Sequence, residues 1–319
     1  MKKLSTILVA LTAIIASTMP LSAAEKLNKI GITYVSSPFN VPSIVMRAKG
    51  FLDDEFKALN IKVESPEITS GAKQIQALAA GEIQIASVLG GASAILGSAN
   101  GVDVKIIAVY SRSPKAFFIM TGKDGSTDIK SLKGKSVAGP KGTTLHQLLA
   151  SALAKNGMKL SDINHVNMDL PAARAALLAG KVDAATLAGN NALAVEEAGG
   201  KILVSGEDYI QPTTVIAVRG DLIKNHPEVV KAYLSAHKKA LTFMKEHSDE
   251  ALKLAADEQK ISFADAKRML EWYDFSIRMN DADVANLEAD QDFMLESDML
   301  KKKIDIRAQL IDPSAFTIE

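Results

Sequence analysis

From Lys29 onward the chain alternates between short apolar runs and amphipathic stretches, each pair separated by Gly, Pro, Ser or Asn. Residues 29–35, KIGITYV, alternate as a strand does. Asn40 is placed to cap a helix over VPSIVMRAKG, with Pro42 in its first turn and Gly50 just past its end. IKVES (61–65) reads as a second strand. Ser70 caps GAKQIQALAAG, and Gly81 ends that helix. IQIASVL follows as a strand, Gly90 and Gly91 open a further helix, and this one ends near Asn100–Gly101 before strand VKIIAVY. Residues 29–110 therefore form a βαβαβαβ series, which predicts an open, mostly parallel sheet.

A second series starts at AFFIMTGK (116–123). Strand SVAG leads through PKGTT into a helix that begins at Thr143–Thr144 and stops at Gly157. INHVNMDL is a strand, PAARAALLAG a helix opened by Pro171, VDAATLAG a strand, NNALAVEEAGG a helix and KILVSGE a strand. TTVIAVRG returns as one more strand. From Leu222 the pattern is nearly all helical, through HPEVVKAYLSAHKKALTFMKEH, SDEALKLAADEQ and SFADAKRMLEWYDF to a polar remainder.

The two series share a written pattern. Residues 78–96, LAAGEIQIASVLGGASAIL, align with 177–195, LLAGKVDAATLAGNNALAV, so that Gly81 meets Gly180, Ala86 meets Ala185, Ser87 meets Thr186 and Gly90 meets Gly189. A solenoid needs at least three copies. Two copies predict two similar α/β lobes.

Two lobes imply a place between them, since ligands of open α/β sheets sit beyond the carboxyl ends of the strands, where helices begin. The loops SSPFN (36–40), TSGAK (69–73), Gly90–Gly91–Ala92, GPKGTT (139–144) and Gly189–Asn190–Asn191 all make such a strand-to-helix turn. Their Gly, Ser, Thr and Asn residues leave backbone N–H groups exposed at positive helix ends, which suits an anionic or strongly accepting group.

The N-terminus reads differently. MKKLSTILVALTAIIASTMPLSAAEKL has Lys2 and Lys3, an apolar run from Leu4 to Ile15 and small residues before Ala24. This is the form of a secretory signal peptide cleaved after Ala24, with Ala23 as an alternative. The run is shorter and more interrupted than a membrane span requires. The chain contains no cysteine, so disulfides, catalytic thiols and a lipid-modified cysteine are absent, and a free periplasmic protein is expected. With 37 basic and 37 acidic residues the whole chain is formally neutral, which argues against nucleic acid or an anionic membrane as partner.

The stretch SLKGKSVAGPKGTTLHQLLASALAKNGMKLSDINHVNMDLPAARAALLAGKVDAATLAG resembles the solute-binding proteins of ABC importers for nitrate, taurine and aliphatic sulfonates, with pyrimidine-precursor-binding relatives. GITYV, VPSIVMRAKGFLDDEFKALNIKVE and GAKQIQALAAGEIQIAS are similar to the same family. The resemblance implies a type II periplasmic-binding fold: two α/β lobes, two crossing segments, and a ligand cleft between the lobes. It divides the chain into a leader (1–24), a first lobe (25–112), a second lobe (113–211) and a return to the first lobe (212–319), with crossings near Arg112–Lys115 and Tyr209–Thr213. It implies a monomer that captures a small anion of the sulfonate, taurine or nitrate kind and hands it to an inner-membrane ABC permease. The alternatives are a binding protein for a neutral heterocycle such as a thiamine pyrimidine precursor, or an enzyme acting on such a compound. Ligand contacts carried over from the family fall on Ser36, Ser37, Gly71, Gly90, Gly91, Ala92, Gly142, Thr143, Thr144, His146 and Asn190. Where sulfonate-binding members carry an aromatic and acidic stretch, this chain has AGNNA (188–192), which offers the neutral amides of Asn190 and Asn191 instead.

Catalysis is not expected. His146, His165, His226, His237 and His247 show no metal-ligand spacing, and neither a nucleophile elbow nor a P-loop occurs. No cofactor or metal is implied. His226, His237 and His247 read as surface positions. Tyr34, Phe39, Tyr110 and Phe118 read as core, as does Trp272, the only tryptophan, so a ring-stacked sugar is a poor fit. Arg47, Lys73, Arg112 and Lys141 lie near the loops, with no sequence signal for which of them turns inward.

Overall fold

The structure, a computed structural model, describes residues 27–318; the signal peptide expected over residues 1–24 lies outside them. The first series folds as β1 (Lys29–Gly31), α1 (Val41–Ala48), α2 (Phe51–Ala58), β2 (Lys62–Glu64), α3 (Gly71–Ala80), β3 (Ile85–Gly90), α4 (Gly91–Ala99) and β4 (Val104–Arg112). The second folds as β5 (Phe117–Thr121), β6 (Ser136–Gly139), α5 (Thr144–Lys155), β7 (Asn164–Asn167), α6 (Leu170–Leu178), β8 (Ala184–Ala188), α7 (Asn190–Glu197) and β9 (Lys201–Ser205). The chain then returns through β10 (Thr213–Arg219) and closes with α8 (Gly220–Asn225), α9 (Pro227–Glu246), α10 (Ser248–Gln259), α11 (Phe263–Leu270) and α12 (Asp281–Glu296).

The duplicated sequence pattern corresponds to a duplicated topology. In the first lobe β2 pairs with β1, a parallel bridge from Ile32 to Ile85 joins that pair to β3, and β10 lies antiparallel between β3 and β4. In the second lobe the order is β7-β6-β8-β5-β9, with β5 antiparallel between β8 and β9. Both sheets are parallel except for one strand, and that strand is the one lying beside a crossing. The repeated segments are equivalent: β3 and β8 hold the same place in their sheets. Gly81 and Gly180 end the preceding helices α3 and α6 with φ of 75° and 63°, a left-handed conformation that costs glycine little.

Each lobe has its own core. β3 and β8 are buried along almost their whole length because helices cover both faces of a parallel sheet. The long α9 places Val229, Tyr233, Ala236 and Ala240 against α1 and α2, beside Ile44, Val45 and Phe56. Burying a side chain the size of Val229, Ile44, Val45 or Phe56 contributes about 1.5–3 kcal/mol.

Three expectations are revised. The helix predicted through SFADAKRMLEWYDF ends at Leu270; beyond it Asp274 runs antiparallel to Arg112, with reciprocal backbone hydrogen bonds of 2.8 and 2.9 Å. The polar remainder contains α12, capped reciprocally by Asn280 and Asp283 and packed on α4. Its buried face carries Asp283, Asp290 and Gln291 among Val284, Leu287 and Met294, so the apolar period is broken by polar groups. His237, expected at the surface, is fully buried 5.4 Å from the Tyr110 ring, and neither ring nitrogen has a partner. His226 is half-buried and His247 exposed.

Candidate ligand cleft

A cavity of about 210 Å³ lies between the lobes, walled by Val35, Ser37, Pro38, Gly71, Gln74, Val88, Gly90 and Ser93 on one side and by Phe117, Thr143, Thr144, Leu145, Leu170 and Ala188 on the other. Four helices, α3 to α6, begin at it. α3, α4 and α5 start after Ser70, Gly90 and Thr143, and in none does a side chain cap the first turn. The Thr143 hydroxyl is turned instead to the Pro140 carbonyl, to which it donates at 2.9 Å. The first N–H groups of these helices are therefore without an intrahelical acceptor, and their dipoles add positive potential. The neighbouring α6 is capped by its own Asp169, which accepts from the Ala172 N–H at 3.0 Å.

Gln74 is a contributor that the sequence pattern did not single out. It is 1% exposed, and its Nε2 donates to the Ile68 and Val88 carbonyls at 3.0 and 2.9 Å. Its Oε1 is buried and has no partner among the described residues. A polar residue four positions after the Ser70 cap, on the buried face of α3, was the available signal.

Among the described residues no lysine or arginine lines the cavity, and the charged residues at its walls are Glu67 and Asp169. The four nearby cations are accounted for elsewhere. Arg47 lies 3.7 Å from the Tyr34 ring centre and 2.6 Å from Glu258. Arg112 forks onto Asp283 through two 2.6 Å bonds and reaches Asp274 at 3.1 Å; the Asp283 carboxylate raises its already high pKa further. Lys73 is exposed, and Lys141 lines a separate crevice.

Of the eleven residues expected to touch ligand, Ser37, Gly71, Gly90, Thr143 and Thr144 border the cavity. The other six lie elsewhere. Ser36 offers its carbonyl to Gln259 at 2.8 Å. Gly91 faces Leu287 of α12, and Ala92 is buried within the first lobe. Gly142 and His146 border the second crevice, where the His146 ring stacks on His165 at 4.8 Å. Burial, then His165 and Lys141, lowers the His146 pKa to about 4, which keeps it neutral. Asn190 donates to Gln259 Oε1 at 2.7 Å rather than facing the cavity. Several of these contacts join the lobes: Asn190 with Gln259, Ser93 donating to the Gly142 carbonyl at 3.0 Å, and Trp272 edge-on to Phe118 at 5.6 Å. The lobes are closed on the cavity. Among the described residues no group of three His, Asp or Glu could hold a metal ion.

The sequence profile of the NMT1/THI5-like family matches residues 38–251. The chain belongs to this family. A Bacillus subtilis member named for aliphatic sulfonate binding is 30% identical over 88% of this chain and 84% of that relative. The taurine-binding periplasmic protein of Escherichia coli is 33% identical over 54% of each chain. The solved alkanesulfonate-binding protein SsuA of Xanthomonas axonopodis, bound to MOPS, superposes with a TM-score of 0.78 at 22% identity, covering 88% of this chain and 96% of that one. The type II periplasmic-binding fold read from the sequence is thus the fold observed: two α/β lobes joined by two crossings, with a cleft between them.

Proposed function

We propose that this chain is an exported solute-binding protein that clamps a small sulfonate-type anion between its lobes and delivers it to an ABC importer permease. The observation that carries the reading is the convergence of three uncapped helix N-termini on one cavity between the lobes. Sulfonate oxygens can each accept from such N–H groups, and Val35, Val88 and Leu145 suit the carbon chain. The names of the sulfonate- and taurine-binding relatives support the same class. In this reading the hinge runs through residues 112–115 and 209–213, the leader directs the chain to the periplasm, and the ligand is released unchanged.

A second reading is favoured by the absence, among the described residues, of any lysine or arginine at the cavity: a neutral heterocycle such as a pyrimidine precursor, whose N–H donors would pair with Gln74 Oε1. A thermal-shift panel of taurine, ethanesulfonate, nitrate and an aminopyrimidine separates the two. A ligand at a hundred times its Kd adds about 2.7 kcal/mol of stability. Stabilisation by a sulfonate supports the proposal; stabilisation by the aminopyrimidine alone replaces it with the second reading.

A further inference from the structure

The seam between the lobes holds a buried carboxyl group. Asp290, on the buried face of α12 in the first lobe, is 8% exposed. Across the seam Gln147, on α5 of the second lobe and 4% exposed, donates its Nε2 to Asp290 Oδ1 at 2.6 Å. This is the one hydrogen bond that the Asp290 carboxyl makes among the described residues. We propose that Gln147 and Asp290 form a proton-taking latch, so that the lobes close more readily as pH falls. The proposal rests on the lobe closure described under Proposed function and concerns how that closure is regulated.

Desolvation of the Asp290 carboxylate drives the effect. In the closed protein α5 covers Asp290, and a carboxylate in that place loses its water and regains a single neutral donor. Burial raises its pKa to about 7, with the Gln147 bond opposing the rise. With the lobes apart the same carboxyl meets solvent and titrates in the ordinary carboxylate range. The closed form therefore binds a proton that the open form releases, and closure weakens as pH rises towards 7.

Among the described residues no basic side chain pairs with Asp290. The crevice it borders is lined by Gln147 and Ser151 on α5, by Glu207, Asp208, Tyr209, Ile210 and Gln211 leading into the returning crossing, and by Asn286, Ala289 and Phe293 on α12 itself. Glu207 is held by Lys115 at 3.5 Å, Lys155 is bonded to the Asp208 carbonyl, and Asp283, two turns away, is held by Arg112. At the far end of the seam His146 and His165 are kept neutral by burial. Their titration on opening acts in the opposite sense, so the test must isolate Asp290.

The natural chain has no cysteine, which allows dye labelling at Lys73→Cys on α3 and Ala175→Cys on α6, both exposed positions. Energy transfer between them, measured on the ligand-free protein from pH 8 to pH 6, reports the closed-to-open ratio. Dividing the wild-type ratio by that of Asp290→Asn removes the histidine contribution. The expected quotient rises about tenfold over those two pH units. Gln147→Leu, which leaves the carboxylate without a donor, is expected to lose closure at pH 8 more than at pH 6, and carries the test if Asp290→Asn fails to fold. A quotient that does not change with pH overturns the latch. Because no ligand is added, a protein that shows the rise but is stabilised by no sulfonate keeps the latch and loses the sulfonate reading.

Discussion

Gly189 and Pro38 meet across the cleft so closely that a Cβ on Gly189 would stand 2.6 Å from both the Cβ and the carbonyl oxygen of Pro38. Gly189 belongs to the second lobe and Pro38 to the first, so this contact exists only when the lobes are together. Gly189 also has φ of 54°, where a side chain costs about 1 kcal/mol or more. Gly189→Ala is expected to leave each lobe folded and to weaken binding of the best sulfonate by more than tenfold. Calorimetric titration beside a thermal melt distinguishes blocked closure from unfolding.

The two threonines at the start of α5 should behave differently. Thr143 already donates to Pro140, whereas Thr144 is opposite Gly90, its Oγ1 3.1 Å from where a Gly90 Cβ would stand. A hydroxyl that pairs with an anion contributes about 1.5–3 kcal/mol. Thr144→Ala is therefore expected to cost roughly tenfold or more in affinity, and Thr143→Ala to act mainly through the loop. Equal, unchanged affinities would mean that neither hydroxyl reaches the ligand.

Asn190 and Gln259 are expected to be energetically coupled although neither lines the cavity. Their 2.7 Å bond spans the lobes, and Gln259 also holds the Ser36 carbonyl. Asn190→Ala and Gln259→Ala should each weaken binding through the closed state. A double-mutant cycle on the binding constant should give an interaction of about 0.5–1.5 kcal/mol. Additive effects would place Asn190 on the ligand instead.

Acid stability should be limited by His237. Burial lowers its pKa to about 4, against about 6.5 in an unfolded chain. The unfolded state therefore binds the proton first. Stability is full above about pH 6.5 and falls as pH drops towards 4, by at most roughly 1.4 kcal/mol per pH unit from this group. His237→Leu, which removes two unpartnered nitrogens, is expected to flatten that fall in urea melts between pH 7 and pH 5. An unchanged pH slope would assign the acid lability to other groups.

The fold was legible where one residue type settles a local question. Gly81 and Gly180 mark helix ends whatever surrounds them, and the apolar run of β3 admits only a strand covered on both faces. Helix α12 is not evident from the pattern because its buried face carries Asp283, Asp290 and Gln291; the partners of the two acids, Arg112 and Gln147, lie far away in sequence, and Gln291 holds the Ile304 backbone beyond the end of the helix. His237 reads as a surface position because the Tyr110 ring packed against it comes from β4, far away in sequence. At the cleft, sequence located the helix starts but not which residue of each start faces inward. Gly91 and Ala92 turn into their own lobe while Gly90 and Ser93 face the cavity. Asn190 occupies the place equivalent to Gly91, and closure draws it onto Gln259.

Small-angle scattering of the chain without its leader, free and saturated with the sulfonate that stabilises it most, tests the clamp directly. A ligand drives closure only through extra affinity for the closed form, which here comes from helix starts on both lobes. The radius of gyration is expected to fall on binding, and Gly189→Ala to show little of that fall. A sulfonate bound by calorimetry in the same sample, with a wild-type protein that is open when free and no smaller when saturated, would contradict it.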